Sequence, residues 1–273
     1  MGCDIHSFCE IFNETTGKWE KTGKIFPNPW YDKDKPNKID EDGYEWNAEF
    51  IHHPIRNRNY DLFAMLADVR NGRGFAGIKT GEGFNIISPP KGIPVDASKE
   101  VMLEYALRIV EEENEEDEAK TASRSYASKW AREGTSKIIE LDGVEYVSDP
   151  DAHSESYLTV KELDAFAWNQ VTLHRGIVSF KEYKELKEKG ETQPESWCGS
   201  ISGPGIKIIT EKQADFLIKN GIPEEGKNDI LHVDMNWASP YSDSAHSFIN
   251  KTLPLLRSLG KPENVRLVFW FDN

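Results

Sequence analysis

Cysteines are few, and their positions argue against a disulfide framework. The three are Cys3, Cys9 and Cys198, an odd number in a chain of 273 residues. Cys3 and Cys9 lie six residues apart in one predicted strand, which is too far for a disulfide within an extended segment. We therefore expect free thiols and a reducing compartment.

Long apolar runs and an excess of basic charge are also missing. No stretch approaches the length of a membrane helix, and the N-terminus lacks the basic start and apolar run of a signal peptide. We expect a cytoplasmic protein without a membrane partner. The 47 acidic residues outnumber the 33 basic ones, for a formal net charge of −14. That balance disfavours duplex nucleic acid as a partner but permits small ligands, basic proteins, or anionic substrates bound through a metal ion.

Core material is ample, because 38% of the residues are apolar. Predicted strands and helices are mixed along the chain, without an internal repeat or a long flexible linker. This pattern predicts an α+β fold with a single mixed or antiparallel sheet and helices mainly on one face, in one domain over residues 1–273. Residues 26–58 predict a long inserted polar surface loop, and the acidic residues 111–120 a solvated helix end or linker.

Local signals predict the main elements. Asp142-Gly143 between two alternating runs predicts a type I′ hairpin. Asn59 or Asp61 is placed to cap one helix, and a second helix is predicted after Asp96 with its apolar stripe reaching Ile109. Three capping boxes predict helix starts: Thr159 with Glu162, Ser179 with Glu182, and Thr210 with Gln213. Glycines end two of these helices, Gly190 and Gly221, and a helix from about Asp243 to Leu259, kinked at Pro254, precedes the last strand.

Three predicted strands carry unusual polar residues on one face. The first offers Asp4, His6 and Glu10, and the last offers Arg266 and Asp272. The strand before it offers His232, Asp234 and Asn236. Two interpretations remain open. A sheet with helices on one side leaves its other face to water, yet Asp and Asn are depleted within strands.

The second interpretation is a shared site. A carboxylate and an imidazole two positions apart in a strand lie about 6.5–7 Å apart on one face, and such pairs suit a divalent metal ion or a carboxylate-oriented general base. If these strands are neighbours, the candidate metal ligands are Asp4, His6, His232 and Asp234. The candidate catalytic residues are Asp4, His6, Asp234 and Asp272.

Candidate substrate-binding residues come from three further places. His153, Ser154 and Ser156 are predicted in a loop that enters a helix N-terminus, where backbone N–H groups suit an anion; a capping segment is the alternative. Trp237 and Tyr241 follow a strand and suit a pocket wall, although core packing also explains them. Arg266 completes the set.

These segments resemble a family of uncharacterised bacteriophage and bacterial proteins. Its members open on a Met-Gly-Cys-Asp-Ile-His strand, carry a central Asp-Ala-His-Ser segment and end on Phe-Trp-Phe-Asp-Asn. Here these are Met1–His6, Asp151–Ser154 and Phe269–Asn273. The resemblance implies that the Asp4/His6, His153 and Asp272 regions belong to one family trait. It also implies a phage setting, in the host cell cytoplasm, where proteins that counter host defences are common.

The sequence therefore supports two hypotheses. The first is a hydrolase, assisted by a divalent metal ion, that acts on a small phosphorylated or nucleotide-like molecule. The alternative is a non-catalytic phage protein that binds and inhibits a host defence protein, or sequesters a signalling nucleotide, through residues 26–58 and the acidic run.

Overall fold

The computed structural model describes residues 2–39, 45–111, 120–223, 226 and 229–272. The chain divides into two compact units, one formed by residues 1–58, 90–165 and 247–273, the other by residues 59–89 and 166–246. Apart from its two end residues, the acidic segment 111–120 lies outside the described residues. Its predicted role as a helix end or linker therefore stays a prediction.

Strands and helices alternate along the described residues. The strands are β1 (Asp4–Asn13), β2 (Lys18–Lys21), β3 (Phe26–Pro27), β4 (Phe50–Ile51), β5 (Ala106–Val110), β6 (Thr121–Ser123), β7 (Ile138–Leu141), β8 (Val144–Ser148), β9 (His153–Thr159), β10 (Val171–Ser179), β11 (Ile206–Thr210), β12 (Ile230–Pro240) and β13 (Val265–Asp272). The α-helices are α1 (Tyr60–Ala67), α2 (Lys99–Tyr105), α3 (Arg124–Glu133), α4 (Val160–Ala165), α5 (Phe180–Lys189), α6 (Glu211–Asn220), α7 (Tyr241–Ser244) and α8 (Leu253–Ser258). The described residues also include a 3₁₀ turn (Phe75–Gly77) and a π-helical turn (Phe248–Thr252).

The strands form four separate sheets, so the prediction of a single sheet is wrong, while the α+β class is confirmed. The first unit holds the sheets β2-β1-β13-β9, β3-β4 and β6-β5-β8-β7, and the second holds β10-β12-β11. The polar alternation of β12 resembles that of β1. Its hydrogen bonds, however, go to β10 and β11, and this pairing divides the predicted sheet.

The sheet β2-β1-β13-β9 is the core of the first unit. Its central strand β13 is buried from Val265 to Phe271 and pairs antiparallel with β1 and β9. Val101 and Tyr105 of α2 pack with Phe8 and Trp270 on the same face as His6. The face predicted to meet water is thus covered over much of its length, and it opens at the end where Asp4 and Asp272 lie.

Turn and cap signals in the sequence predicted several boundaries of helices and strands correctly. The β7–β8 hairpin turns through Asp142 and Gly143, with φ of 51° and 77°, as a type I′ turn requires. Asn59 caps α1, and reciprocal capping boxes start α4 at Thr159 and α6 at Thr210. Ser179 caps α5, but the carboxylate of its partner Glu182 accepts the backbone N–H of Ser196 at 2.8 Å instead.

Two helix predictions were wrong in extent. The helix predicted to reach Ile109 ends at Tyr105, because Ala106–Val110 form β5 and pair with β6 and β8. The long helix predicted to Leu259 is broken into α7, the π-helical turn and α8. Pro254 lies just after the π-helical turn, and a proline within a helical stretch removes one backbone hydrogen bond and bends the helix.

The second unit is built on the sheet β10-β12-β11. Val233, Met235 and Trp237 of β12 pack in one cluster with Tyr183 of α5 and Ala214 of α6, which confirms the predicted apolar face of this strand. In the parts of the chain that the structure describes, no helix is long and apolar enough to cross a membrane.

Candidate functional site

Polar side chains converge at one end of the sheet β2-β1-β13-β9. Asp4 and Asp272 are directly paired across β1 and β13, as are His6 and Trp270. These four residues come from the first and last strands of the chain. The antiparallel pairing therefore brings Asp4, His6 and Asp272 together. The sequence predicted this meeting on the condition that the two strands are neighbours.

His6 and Asp272 form the central contact of this site. Nε2 of His6 lies 3.0 Å from Oδ2 of Asp272, and each side chain is 38% exposed. Since a carboxylate can only accept a hydrogen bond, this contact favours the tautomer with the proton on Nε2, which leaves Nδ1 as the basic nitrogen. Among the described residues, no hydrogen-bond partner of His6 Nδ1 is found. The pair has the geometry of a carboxylate-oriented general base.

Asp4 has a different partner. Arg58 donates to both of its carboxylate oxygens, at 2.6 Å each. The hydrogen bonds from Arg58 lower the pKa of the Asp4 carboxyl, the positive charge of Arg58 acts in the same direction, and burial opposes them. A Cβ on Gly2 would lie 2.5 Å from an Arg58 guanidinium nitrogen. The glycine in the Met-Gly-Cys-Asp opening therefore leaves the space that Arg58 fills.

The imidazole of His6 packs against aromatic rings of the core. His6 is stacked on Trp270, which is 2% exposed, with ring centroids 5.4 Å apart. Trp270 also contacts Phe8 at 5.4 Å and Tyr105 at 5.2 Å. The Tyr105 hydroxyl donates to Glu155 at 2.7 Å, and burial, followed by this carboxylate, raises the pKa of Tyr105. The ring of His6 is thus held on a packed aromatic surface.

His53 lies behind this surface. Its Nδ1 is 3.2 Å from the carbonyl oxygen of Ser7, and its ring contacts Phe8 at 5.1 Å. Burial lowers the pKa of His53, and the positive charge of Arg56 acts in the same direction. Its contacts are those of a neutral ring that packs against the sheet.

The predicted anion site around His153 has another geometry. Residues 153–159 form β9 and the helix starts only at Val160, so the prediction that they form a loop entering a helix is wrong. His153 pairs with Phe271 and stacks on it, on the face opposite to His6. Ser154 lies 3.2 Å from His153 Nδ1 and has φ of 52°, while Ser156 is buried and accepts the N–H of Lys91.

Arg266 is buried in an ion-pair network. Its Nε donates to Glu10 at 2.7 Å, with both side chains at most 3% exposed, and another of its nitrogens donates to Asp96 at 2.8 Å. Its guanidinium also lies over the Trp19 ring at 3.9 Å. All these contacts are internal to the first unit, and they link β1, β13 and the segment before α2.

The remaining predicted residues lie on or after β12, in the second unit. Asp234 accepts two hydrogen bonds from Arg175, at 2.9 and 2.6 Å, and His232 Nδ1 lies 3.3 Å from the carbonyl oxygen of Ile230. Trp237 and Tyr241 are core residues, 5% and 4% exposed. Because β1 pairs with β13 and β2, while β12 pairs with β10 and β11, strand pairing does not join the four predicted metal ligands.

The ligands for a metal ion are correspondingly few. Over the described ranges, no group of three or more His, Cys, Asp or Glu side chains is placed to hold a metal ion. His6 and Asp272 would supply two ligands, and both oxygens of Asp4 are bonded to Arg58.

Sequence reasoning missed the residues that complete the site. Arg58, Tyr105 and Glu155 carry no local signal, because their contacts are with residues distant in the chain. Trp270 did carry a local signal, since it lies two positions before Asp272 and therefore on the same face of the strand. In comparisons with known proteins, no family model, no curated protein and no solved structure matches the chain.

Proposed function

We propose that the first unit is a hydrolase in which His6 activates a water molecule and Asp272 orients the imidazole of His6. The observation that carries this proposal is the 3.0 Å contact between His6 Nε2 and Asp272 Oδ2 at the open end of the sheet. An imidazole that is oriented by a carboxylate and partly exposed can take a proton from water at its other ring nitrogen. Asp272 would stabilise the imidazolium that forms.

Asp4 and Arg58 act as positioning residues in this proposal. Their bidentate ion pair lies at the end of β1, next to Asp272. Two parallel charge-assisted hydrogen bonds hold both side chains in one geometry. The substrate class carried forward is the small phosphorylated or nucleotide-like molecule expected from the sequence. In a metal-assisted form of the proposal, His6 and Asp272 would hold a divalent metal ion in place of their mutual hydrogen bond, and the ion would polarise a phosphoryl oxygen of the substrate.

The test measures hydrolysis across a panel of phosphate monoesters, phosphodiesters and nucleotides, with and without added zinc, manganese or magnesium. We expect His6→Ala and Asp272→Asn each to lower kcat by about 10²–10⁴-fold, the usual contribution of a general base. His232→Ala is the matched control, since its imidazole lies in the second unit, and its activity should equal that of the wild type. Folded His6→Ala protein with full activity would overturn the proposal.

Metal content is measured separately, on purified protein that has not been treated with chelator. A stoichiometric ion lost in His6→Ala would support direct ligation. Unchanged melting after addition of each metal, with no bound ion, would remove the metal from the mechanism and leave the general base to be judged by the kinetics.

A non-catalytic binding protein is the second candidate. Residues 26–58 expose large apolar side chains, which favours a contact surface there: Trp30, Tyr31, Ile39, Trp46 and Phe50. In a phage setting the partner would be a host defence protein or a signalling nucleotide. Under this proposal, deletion of residues 26–58 abolishes function while His6→Ala preserves it.

A further inference from the structure

Two exposed tryptophans line one pocket in the first unit. Trp30 is 58% exposed and Trp46 is 67% exposed, and both border a cavity of about 500 Å³ together with Asp32, Lys35, Pro36, Lys38 and Asn47. Single exposed apolar residues are ordinary on a protein surface, but adjacent ones in a concavity indicate a binding site. The volume lies in the range of small-molecule sites.

The pocket is held by hydrogen bonds from buried polar side chains. Asn47, 8% exposed, accepts the backbone N–H of Asp32 and donates to the carbonyl oxygens of Asp32 and Lys35. Asn28, also 8% exposed, accepts the N–H of Trp30 and donates to the carbonyl oxygen of Ala48. The two asparagines thus fix the backbone that presents each tryptophan, so a ligand meets an organised wall.

Basic side chains lie in and beside the pocket. The Arg56 guanidinium lies 4.9 Å from the centroid of the Trp30 ring, and this cation–π contact favours one orientation of the indole. Lys35 pairs with Asp32 at 3.1 Å. Lys38 also lines the pocket, and among the described residues no ion pair of its ammonium group is found. The described lining side chains therefore combine flat aromatic surface with two lysines and one aspartate.

We propose that this pocket binds a free nucleoside phosphate, with the base stacked on an indole and the phosphate held by Lys38. Base–indole stacking tolerates any base, and an ammonium group binds phosphate as a point charge. A nucleic-acid strand offers the same groups, but the net charge of −14 opposes binding of a polyanion. The proposal uses residues other than those of the hydrolase, and it deepens the second candidate function, whose contact surface contains Trp30 and Trp46.

The experiment is calorimetric titration of the full chain with adenosine 5′-monophosphate, adenosine and a short oligodeoxyadenylate. We expect one saturable site for the monophosphate and weaker binding of adenosine. Trp46→Ala should weaken the affinity about 5-fold to 150-fold, the effect of losing one stacked base. Lys38→Glu should weaken binding of the monophosphate and leave that of adenosine unchanged. Tyr126→Ala, which removes another exposed aromatic ring of the first unit, should bind as the wild type does.

Three results would overturn the proposal. They are no heat of binding at millimolar monophosphate, full affinity in both Trp46→Ala and Lys38→Glu, and tighter binding of the oligonucleotide than of the monophosphate. Circular dichroism establishes that each variant is folded, and Lys38→Glu carries the test should Trp46→Ala not fold. His6→Ala should keep the affinity, so loss of hydrolysis and loss of binding are separate outcomes.

Discussion

The imidazole of His6 lies parallel to the indole of Trp270, with an interplanar angle of 5° and centroids 5.4 Å apart. The tryptophan is buried and the histidine is half-exposed. Because Trp270 also packs against Phe8 and Tyr105, the ring that would accept a proton rests directly on the core. Stability of the sheet and geometry of the site are therefore coupled through this one residue.

Trp270→Ala should be strongly destabilising. Removing an aromatic side chain that is 2% exposed leaves a cavity between β1, β13 and α2, and such substitutions lower the free energy of unfolding by about 3–5 kcal/mol. Urea denaturation followed by circular dichroism measures it. Trp46→Ala, at a residue 67% exposed, is the control and should change stability by no more than about 0.5 kcal/mol. Equal losses in the two variants would contradict the packing described for Trp270.

Glu10→Gln should also be costly. The substitution removes one of the two carboxylates that contact the buried guanidinium of Arg266. Breaking a buried ion pair costs about 3–5 kcal/mol when one charge is left uncompensated, and because Asp96 still pairs with Arg266 we expect a loss below that range. Glu14→Gln, at an exposed carboxylate paired with Lys261, is the control and should leave the denaturation midpoint almost unchanged. The double variant Glu10→Leu/Arg266→Met should recover part of the loss. A double variant less stable than Glu10→Gln would show that the pair is worth more than its burial costs.

The Asp4–Arg58 pair predicts an acid-sensitive contribution to stability. The pKa of Asp4 is lowered from 3.8 in the folded protein, chiefly by its hydrogen bonds from Arg58. Stability from this group is therefore fully present above the unfolded-state pKa and is lost as the pH falls through the lower folded-state value. We expect the difference in denaturation midpoint between wild type and Asp4→Asn to be constant at neutral pH and to shrink below pH 3.8. A difference that widened on acidification would reverse the sign. Asp151→Asn, on an exposed loop residue, serves as the control.

Gly2→Ala should disturb the same pair without touching either charged residue. The added methyl group would lie 2.5 Å from an Arg58 nitrogen, so the guanidinium must move and its hydrogen bonds to Asp4 must lengthen. The pKa of Asp4, followed by NMR titration of its carboxyl carbon, should then rise towards 3.8. Gly23→Ala is the control, because a Cβ there meets nothing within 4 Å. An Asp4 titration identical to that of the wild type would show that Arg58 does not depend on the glycine.

Thiol reactivity should separate the three cysteines. Cys3 and Cys9 are fully buried, and burial raises the pKa of Cys9 to about 12. Cys198 is only partly buried. With a disulfide reagent under native conditions, we expect one thiol, Cys198, to react readily and the other two to react only in denaturant. Cys198→Ser should abolish the native reaction, and three fast thiols in folded protein would contradict the burial.

Local features of the sequence predicted the local structure well. The Asp142-Gly143 turn, the Asn59 cap and the Thr159 and Thr210 capping boxes depend on residues within a few positions of each other, and their chemistry is readable from the sequence alone. The end of α2 was predicted wrongly because Ala106 and Ile109 suit a helix stripe as well as a strand. Pairing with β6 and β8 decides between the two.

The sequence indicated which types of residue form the candidate site, but not which residues come together there. Asp4, His6 and Asp272 were unusual as strand residues, and the sequence alone identified them. Strand order decides whether these residues meet Asp234 and His232 or Arg58 and Trp270. The alternation of polar and apolar residues does not reveal strand order, because β1 and β12 have the same alternation. The pairing of β13 with β1 joins segments that are far apart in the chain, and the side-chain contact between His6 and Asp272 spans 266 positions. The amino-acid sequence by itself determined the strands, turns, caps and polar faces, because these follow from neighbouring residues. Only the tertiary structure decided which polar faces share a sheet, because that choice is made by packing and backbone hydrogen bonds between distant segments.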